Sequence, residues 1–306
     1  MRKTVRSILL PVAAVLMALA LCACTGRSVS QEQMMEDIRK YDSYLDQWNM
    51  TMDSFQELER LTDSKQGTDW AKIAVQASCP EVSYRADYIL SYDRFDQGWV
   101  CTGPALQNPQ VRPLDLETHG GEDLEAWLVE HGYENIRVQE RRTEGNDVYL
   151  TYAGDSDQNY AHTTMLATNT YRFSLETGWT QDPAPTTELL SLEPDVLGTW
   201  YFSGGDYEYT VEVLECDLQH SMLTIRCDLI GIEKIGADRR LVLREPTRVR
   251  MLPQTDSAWQ VLLPGIATDM QMHLGIPGEC ESPITGETAE GAGLAIRGCW
   301  LERQAE

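Results

Sequence analysis

The chain has 306 residues and a formal charge of −23, with 25 Lys and Arg against 48 Asp and Glu. That balance argues against nucleic acid, whose phosphates need clustered Lys and Arg, and against charge-driven docking on anionic lipid headgroups. With 42% hydrophobic residues the chain can bury sizeable cores, and a chain of this length normally carries two or three domains.

In chain order, Arg2, Lys3 and Arg6 precede an apolar run from Ile8 to Leu21, too short to span a bilayer comfortably. This is the profile of a secretory leader, which is set aside from fold reasoning. The run ends Leu21-Cys22-Ala23-Cys24, which resembles a bacterial lipobox. The resemblance implies a signal peptide over 1–23, cleavage before Cys24, and a thioether-linked diacylglycerol on the Cys24 sulfur. Two acyl chains hold a protein on a membrane stably, where one holds it marginally. A polar tether over 24–30 then leads into a fold on the extracytoplasmic side of the cell membrane.

Ser30 followed by Gln33 suits a helix start. Met34, Met35, Ile38, Tyr41, Leu45 and Trp48 recur near helical spacing, which predicts an amphipathic helix over 31–48. An internal repeat follows, between residues 55–101 and 136–181. Glu59-Arg60-x-Thr62 aligns with Glu140-Arg141-x-Thr143, and Gly67-x-Asp69 with Gly145-x-Asp147. Leu90-x-Tyr92 aligns with Tyr171-x-Phe173, and Gly98-Trp99 with Gly178-Trp179. A second helix is predicted over Glu122–His131, ending at Gly132. Each copy reads as a helix followed by alternating antiparallel strands, giving α+β units over 31–102 and 122–182. Pro-rich linkers over 103–121 and 183–196 separate the units. In this pattern the units resemble cystatin-like and nuclear-transport-factor-like folds, a resemblance that carries no catalytic signature. The concave sheet face of each unit, or the mouth of a C-terminal barrel, would hold a ligand.

Residues 197–303 read as an all-β domain, with alternating runs near 199–203, 207–216, 222–230, 241–251, 258–263, 269–275 and 292–301. Seven or eight short strands at this spacing suggest a sandwich or a small barrel. Gly198-Thr199-Trp200 resembles the G-x-W signature of lipocalins. That resemblance implies an arginine from the last strand packed over the tryptophan, with Arg297 as candidate for a barrel-closing pair with Trp200. The plainer reading is a strand that starts at a glycine and buries a tryptophan. The expected class is therefore α+β: two tandem helix-plus-antiparallel-meander units, then an all-β sandwich or small barrel.

With Cys22 in the leader and Cys24 lipidated, six cysteines remain: Cys79, Cys101, Cys216, Cys227, Cys280 and Cys299. An even number in an exported chain permits disulfides, and their grouping suggests Cys79–Cys101, Cys216–Cys227 and Cys280–Cys299. Small buried thiols are the alternative, and spacing does not choose. No serine-hydrolase elbow, H-E-x-x-H, P-loop or dinucleotide fingerprint occurs, and the histidines are scattered. Asp155-x-Asp157-x-Asn159 starts like a calcium loop, but Tyr160 and Leu166 stand where Gly and Glu are needed. No metal or cofactor is expected. The eight tryptophans are spread evenly and read mostly as core anchors.

Together these features point to a membrane-anchored, non-catalytic binding or assembly module of the cell envelope. Its partner would be an unknown protein, envelope polymer or small molecule, and not nucleic acid. An envelope hydrolase with an acidic site, or a structural or regulatory partner of another envelope protein, are the alternatives.

Overall fold

The computed structural model describes residues 28–232, 239–266, 270–282 and 286–305. The leader and Cys24 lie outside the described residues. The expected α+β class is overturned: among the described residues 66% are strand and 9% helical. Among the described residues the helices are α1 (Gln31–Tyr41), α2 (Ser43–Gln47) and α3 (Glu122–Glu130). None of them is long and apolar enough to cross a membrane.

The predicted first helix is cut in two by a buried carboxylate. Asp42 is 4% exposed and caps α2, accepting from the Tyr44 backbone N–H at 3.1 Å. It also accepts from the Tyr84 hydroxyl at 2.7 Å and the Tyr88 hydroxyl at 2.5 Å. Satisfying both buried tyrosines outweighs continuing the helix, because an unpaired buried hydroxyl is costly. Helical periodicity alone cannot register that competition.

The first sheet contains β1 (Thr51–Asp63), β2 (Thr68–Ser78), β3 (Val82–Phe95), β4 (Gly98–Cys101) and β5 (Ala105–Pro113). Its order is β1-β2-β3-β4, with β5 also on β3. The second sheet contains β6 (Glu134–Glu144), β7 (Asp147–Gln158), β8 (Ala161–Ser174), β9 (Gly178–Gln181) and β10 (Thr186–Pro194). Its order is β10-β8-β7-β6, with β9 also on β8. The two sheets share one connectivity, so the sequence repeat marks a repeat of topology. Both segments expected to be linkers contain a strand, β5 and β10. Their prolines are tolerated because each strand pairs on one side only, leaving positions with no ladder bond to lose.

Contacts divide the chain into two compact units, and the divide falls elsewhere than the predicted domain boundaries. The first unit comprises the described residues through His119, with Thr143–Val148 and Tyr171–Gln181. Its core packs Met34, Ile38 and Leu45 against Ile73, Val75, Tyr88, Leu90, Tyr92 and Phe173. The strict burial alternation along β2 and β3 puts one face of the sheet inward and leaves the other to solvent. Each fully buried large apolar side chain contributes about 1.5–3 kcal/mol. The Arg60–Asp69 ion pair fastens Val29 to this sheet. Asp69 accepts from the Val29 N–H at 2.9 Å and from Arg60 at 2.6 Å, while Arg60 donates to the Val29 carbonyl at 2.7 Å.

The second unit comprises Gly120–Arg142, Tyr149–Thr170 and the chain from Asp182 onward. It carries β11 (Gly198–Gly204), β12 (Tyr207–Asp217), β13 (Met222–Ile230), β14 (Arg240–Thr255), β15 (Ala258–Leu262), β16 (Met270–Glu281), β17 (Thr288–Ile296), β18 (Cys299–Trp300) and β19 (Glu302–Arg303). They form one nearly closed sheet in the order β18-β17-β16-β15-β14-β13-β12-β11-β19. Only Leu301 separates β18 from β19. One extended segment therefore pairs with β17 through Ala295↔Trp300 and with β11 through Trp200↔Arg303. Of the two expected architectures, this is the barrel. Its interior is filled by its own side chains, including Trp200, Tyr209, Ile225, Met251, Met272 and Leu294, all at 0% exposure. A barrel of about eight strands leaves room for little else. The fit needs Gly293, at φ +93°, where a Cβ would meet the Trp200 ring at 2.5 Å.

Candidate functional site

The first unit carries an open groove of about 680 Å³. The alternation of β3 that turns Tyr84 and Tyr88 into the core turns Ser83 and Arg85 to the opposite face. Edge strand β5 lies beside it with Arg85 opposite Gln110 and Ser83 opposite Arg112. On the other side of β3, Gln76 of β2 lies opposite Arg85. A register shift between Met52 and Ser54 of β1 leaves Asp53 without a cross-strand partner, and Asp53 lines the groove. Such bulges re-aim a side chain. Glu117, from the segment after β5, Thr143, near the end of β6, and Gly145 and Asn146, from the turn between β6 and β7, complete the wall. Gly145 sits at φ +63°, a turn conformation that favours glycine.

The charges of this groove are unspent. Arg85, Arg112, Asp53 and Glu117 all line it, and none forms an ion pair among the described residues. Several arginines elsewhere are engaged: Arg39 with Asp46, Arg60 with Asp69, Arg137 with Asp155, Arg226 with Glu212 and Arg303 with Asp195. Two guanidinium groups and two carboxylates line one polar cleft, an arrangement that can meet groups of either charge. Nothing in it resembles a nucleophile activated by a base.

A second groove, of about 690 Å³, lies in the second unit, lined by Asp157, Asn159, Tyr160, His162, Glu193, Asp195 and Arg303. Here the cations are already paired. Arg303 bonds the Asp195 carboxylate at 3.1 and 3.3 Å and its carbonyl at 3.2 Å. His162 bonds Asp157, and this hydrogen bond followed by the attraction of the same carboxylate raises its pKa. The calcium-like string lies in and just after strand β7: Asp155 is held by Arg137 at 2.9 Å and by Thr164 at 2.9 Å. Among the described residues no group of three or more His, Cys, Asp or Glu is placed to hold a metal.

The six cysteines are free thiols. Cys79 sits at the β2–β3 turn, bonded to Val82, whereas Cys101 lies opposite Tyr92. Ten residues of strand, roughly 33 Å, separate those points, beyond the reach of a disulfide. Cys227 lies opposite Val211, so Cys216 is roughly 16 Å further along β12. The expected Cys79–Cys101 and Cys216–Cys227 pairs are therefore ruled out. Cys280 and Cys299 hydrogen-bond separately, to Gln271 and to the Arg297 carbonyl. Burial pushes the thiols of Cys216, Cys227 and Cys280 up to about 11, which makes them poor nucleophiles.

The expected Trp200–Arg297 pair is also corrected. The Trp200 indole donates to the Val196 carbonyl at 2.9 Å and meets Tyr160 edge-on, while the Arg297 guanidinium lies over Tyr207. The arginine beside the G-x-W strand is Arg303, the cross-strand neighbour of Trp200. Arg297 instead occupies the β17–β18 turn at φ +52°. Of the tryptophans, Trp200 and Trp259 are buried, and the others are half-buried.

Arg85 and Arg112 drew no notice in the sequence, because nothing local marks two arginines that meet only through the β3–β5 register. Compared with protein families, curated proteins and solved structures, the chain matches none.

Proposed function

We propose that this chain is an extracytoplasmic lipoprotein, held on the membrane through lipid on Cys24, and that it acts as a non-catalytic binding module. The groove of the first unit is its ligand seat. The observation that carries this reading is the unspent charge of Arg85, Arg112, Asp53 and Glu117 in one cleft. The filled barrel supports it, because a small ligand has no room inside. Val29 is fastened by Asp69 and Arg60 only five residues after Cys24, a chain length of at most about 18 Å. The first unit is thereby kept close to the bilayer.

Two measurements test this. Intact-mass analysis of membrane-fraction protein should show a lipid-sized addition on a chain starting at Cys24, absent in Cys24→Ala. A photo-reactive residue in place of Gln110 should yield a defined adduct in cells, weakened by Arg85→Gln. An unmodified chain, or an adduct indifferent to Arg85, would remove the reading.

A further inference from the structure

Building on that reading of the groove, we infer that its ligand is a peptide or amino-acid chain terminus. Its free carboxylate lies between Arg85 and Arg112, and its N–H donors face Asp53 and Glu117. The register carries the first half of the argument. Arg85 is opposite Gln110 and Arg112 is opposite Ser83, so the two arginines are diagonal neighbours on one face, roughly 7–8 Å apart at the backbone. From there both guanidinium forks reach a single carboxylate, which matches their planar donor geometry. No lysine lines the cleft.

The carboxylates carry the second half. An oxyanion of high charge, such as a phosphate, would be drawn to the arginines and repelled by Asp53 and Glu117. A singly charged carboxylate attached to amide or ammonium N–H groups satisfies both signs. Gln76 and Gln110 add the donors and acceptors that peptide groups use. About 680 Å³ lies within the range of small-ligand sites, and the open polar lining predicts an affinity that weakens with salt.

The test is calorimetric titration of the detergent-solubilised full chain with trialanine, trialanine amide, N-acetyl-trialanine and inorganic phosphate. Trialanine should bind with a Kd below about 1 mM at low salt. The amide should bind at least about tenfold more weakly, as should trialanine to Arg85→Gln or Arg112→Gln, with partial recovery in Arg85→Lys. N-acetyl-trialanine, or Asp53→Asn with trialanine, should bind several-fold more weakly. Equal binding of acid and amide, tighter binding of phosphate, or no binding of trialanine overturns the ligand class. Thermal unfolding of each variant separates lost contacts from lost fold. If an Arg85-dependent adduct at position 110 persists while trialanine fails, only the ligand class falls. If both fail, the binding-module reading falls with it.

Discussion

The two grooves are nearly equal in size, about 680 Å³ in the first unit and about 690 Å³ in the second, and both are walled by charged side chains. They differ in where the charge goes. In the second unit Arg303 and His162 are consumed by Asp195 and Asp157, and Arg303 also ties β19 to the chain before β11, so its charge works for barrel closure. In the first groove Arg85, Arg112, Asp53 and Glu117 form no ion pair with one another. Volume does not separate the two grooves. Charge satisfaction does.

If that distinction is right, charges spent on the fold should cost stability when removed, and unspent charges should cost little. The largest effect is expected at Asp69, whose side chain is 1% exposed. Asp69→Ala should cost about 3–5 kcal/mol in chemical denaturation, because Arg60 and the Val29 N–H lose their acceptor. Burial alone would raise the Asp69 pKa, but its hydrogen bonds to Arg60, Val29 and Thr62 prevail and hold it below the usual carboxylate range. A carboxylate with a depressed folded pKa contributes stability that is complete above its unfolded value, about 3.9. That contribution is lost as pH falls through the folded value, so the gap between wild type and Asp69→Ala should close in acid.

Asp42→Ala should cost about 3 kcal/mol by the same measurement, since it strands the Tyr84 and Tyr88 hydroxyls beneath the first sheet. Arg303→Ala, at a partly exposed pair, should cost about 1 kcal/mol. At His162 the readout is titration by NMR. Its hydrogen bond to Asp157 raises the folded pKa, so the pair stabilises fully below about 6.5 and its contribution fades as pH rises through the folded value. Asp157→Asn should bring the midpoint back toward that of an unfolded peptide. The smallest stability effect is expected at the groove of the first unit: Arg85→Gln and Arg112→Gln should stay within about 0.5 kcal/mol of wild type. A cost above about 2 kcal/mol at either would mean that these arginines also serve the fold, and the contrast between the grooves would collapse.

Much of the strand content was legible. Tyr88-x-Leu90-x-Tyr92 alternates in sequence, and all three side chains are buried. The run at 222–230 coincides with β13. What misled was helical spacing, which could not weigh Asp42 against a continuous helix, and proline, which reads as linker in a string but is admitted by an edge strand such as β5. The candidate site was illegible for a related reason. Its residues come from β1, β2, β3, β5, the segment after β5, the end of β6 and the β6–β7 turn, and no local pattern unites them.

Local sequence alone carries the acidic character, the period-two strands and the residue repeat between 55–101 and 136–181, because each is a property of the amino acids themselves and their near neighbours. Long-range packing settled where the first helix breaks, that the C-terminal strands form one nearly closed, barrel-like sheet rather than a sandwich, and that Arg303 rather than Arg297 lies beside Trp200. It also decided that Arg85 and Arg112 share one face. These outcomes depend on strand register and on which buried polar groups find partners, and both are set by residues far apart in the chain.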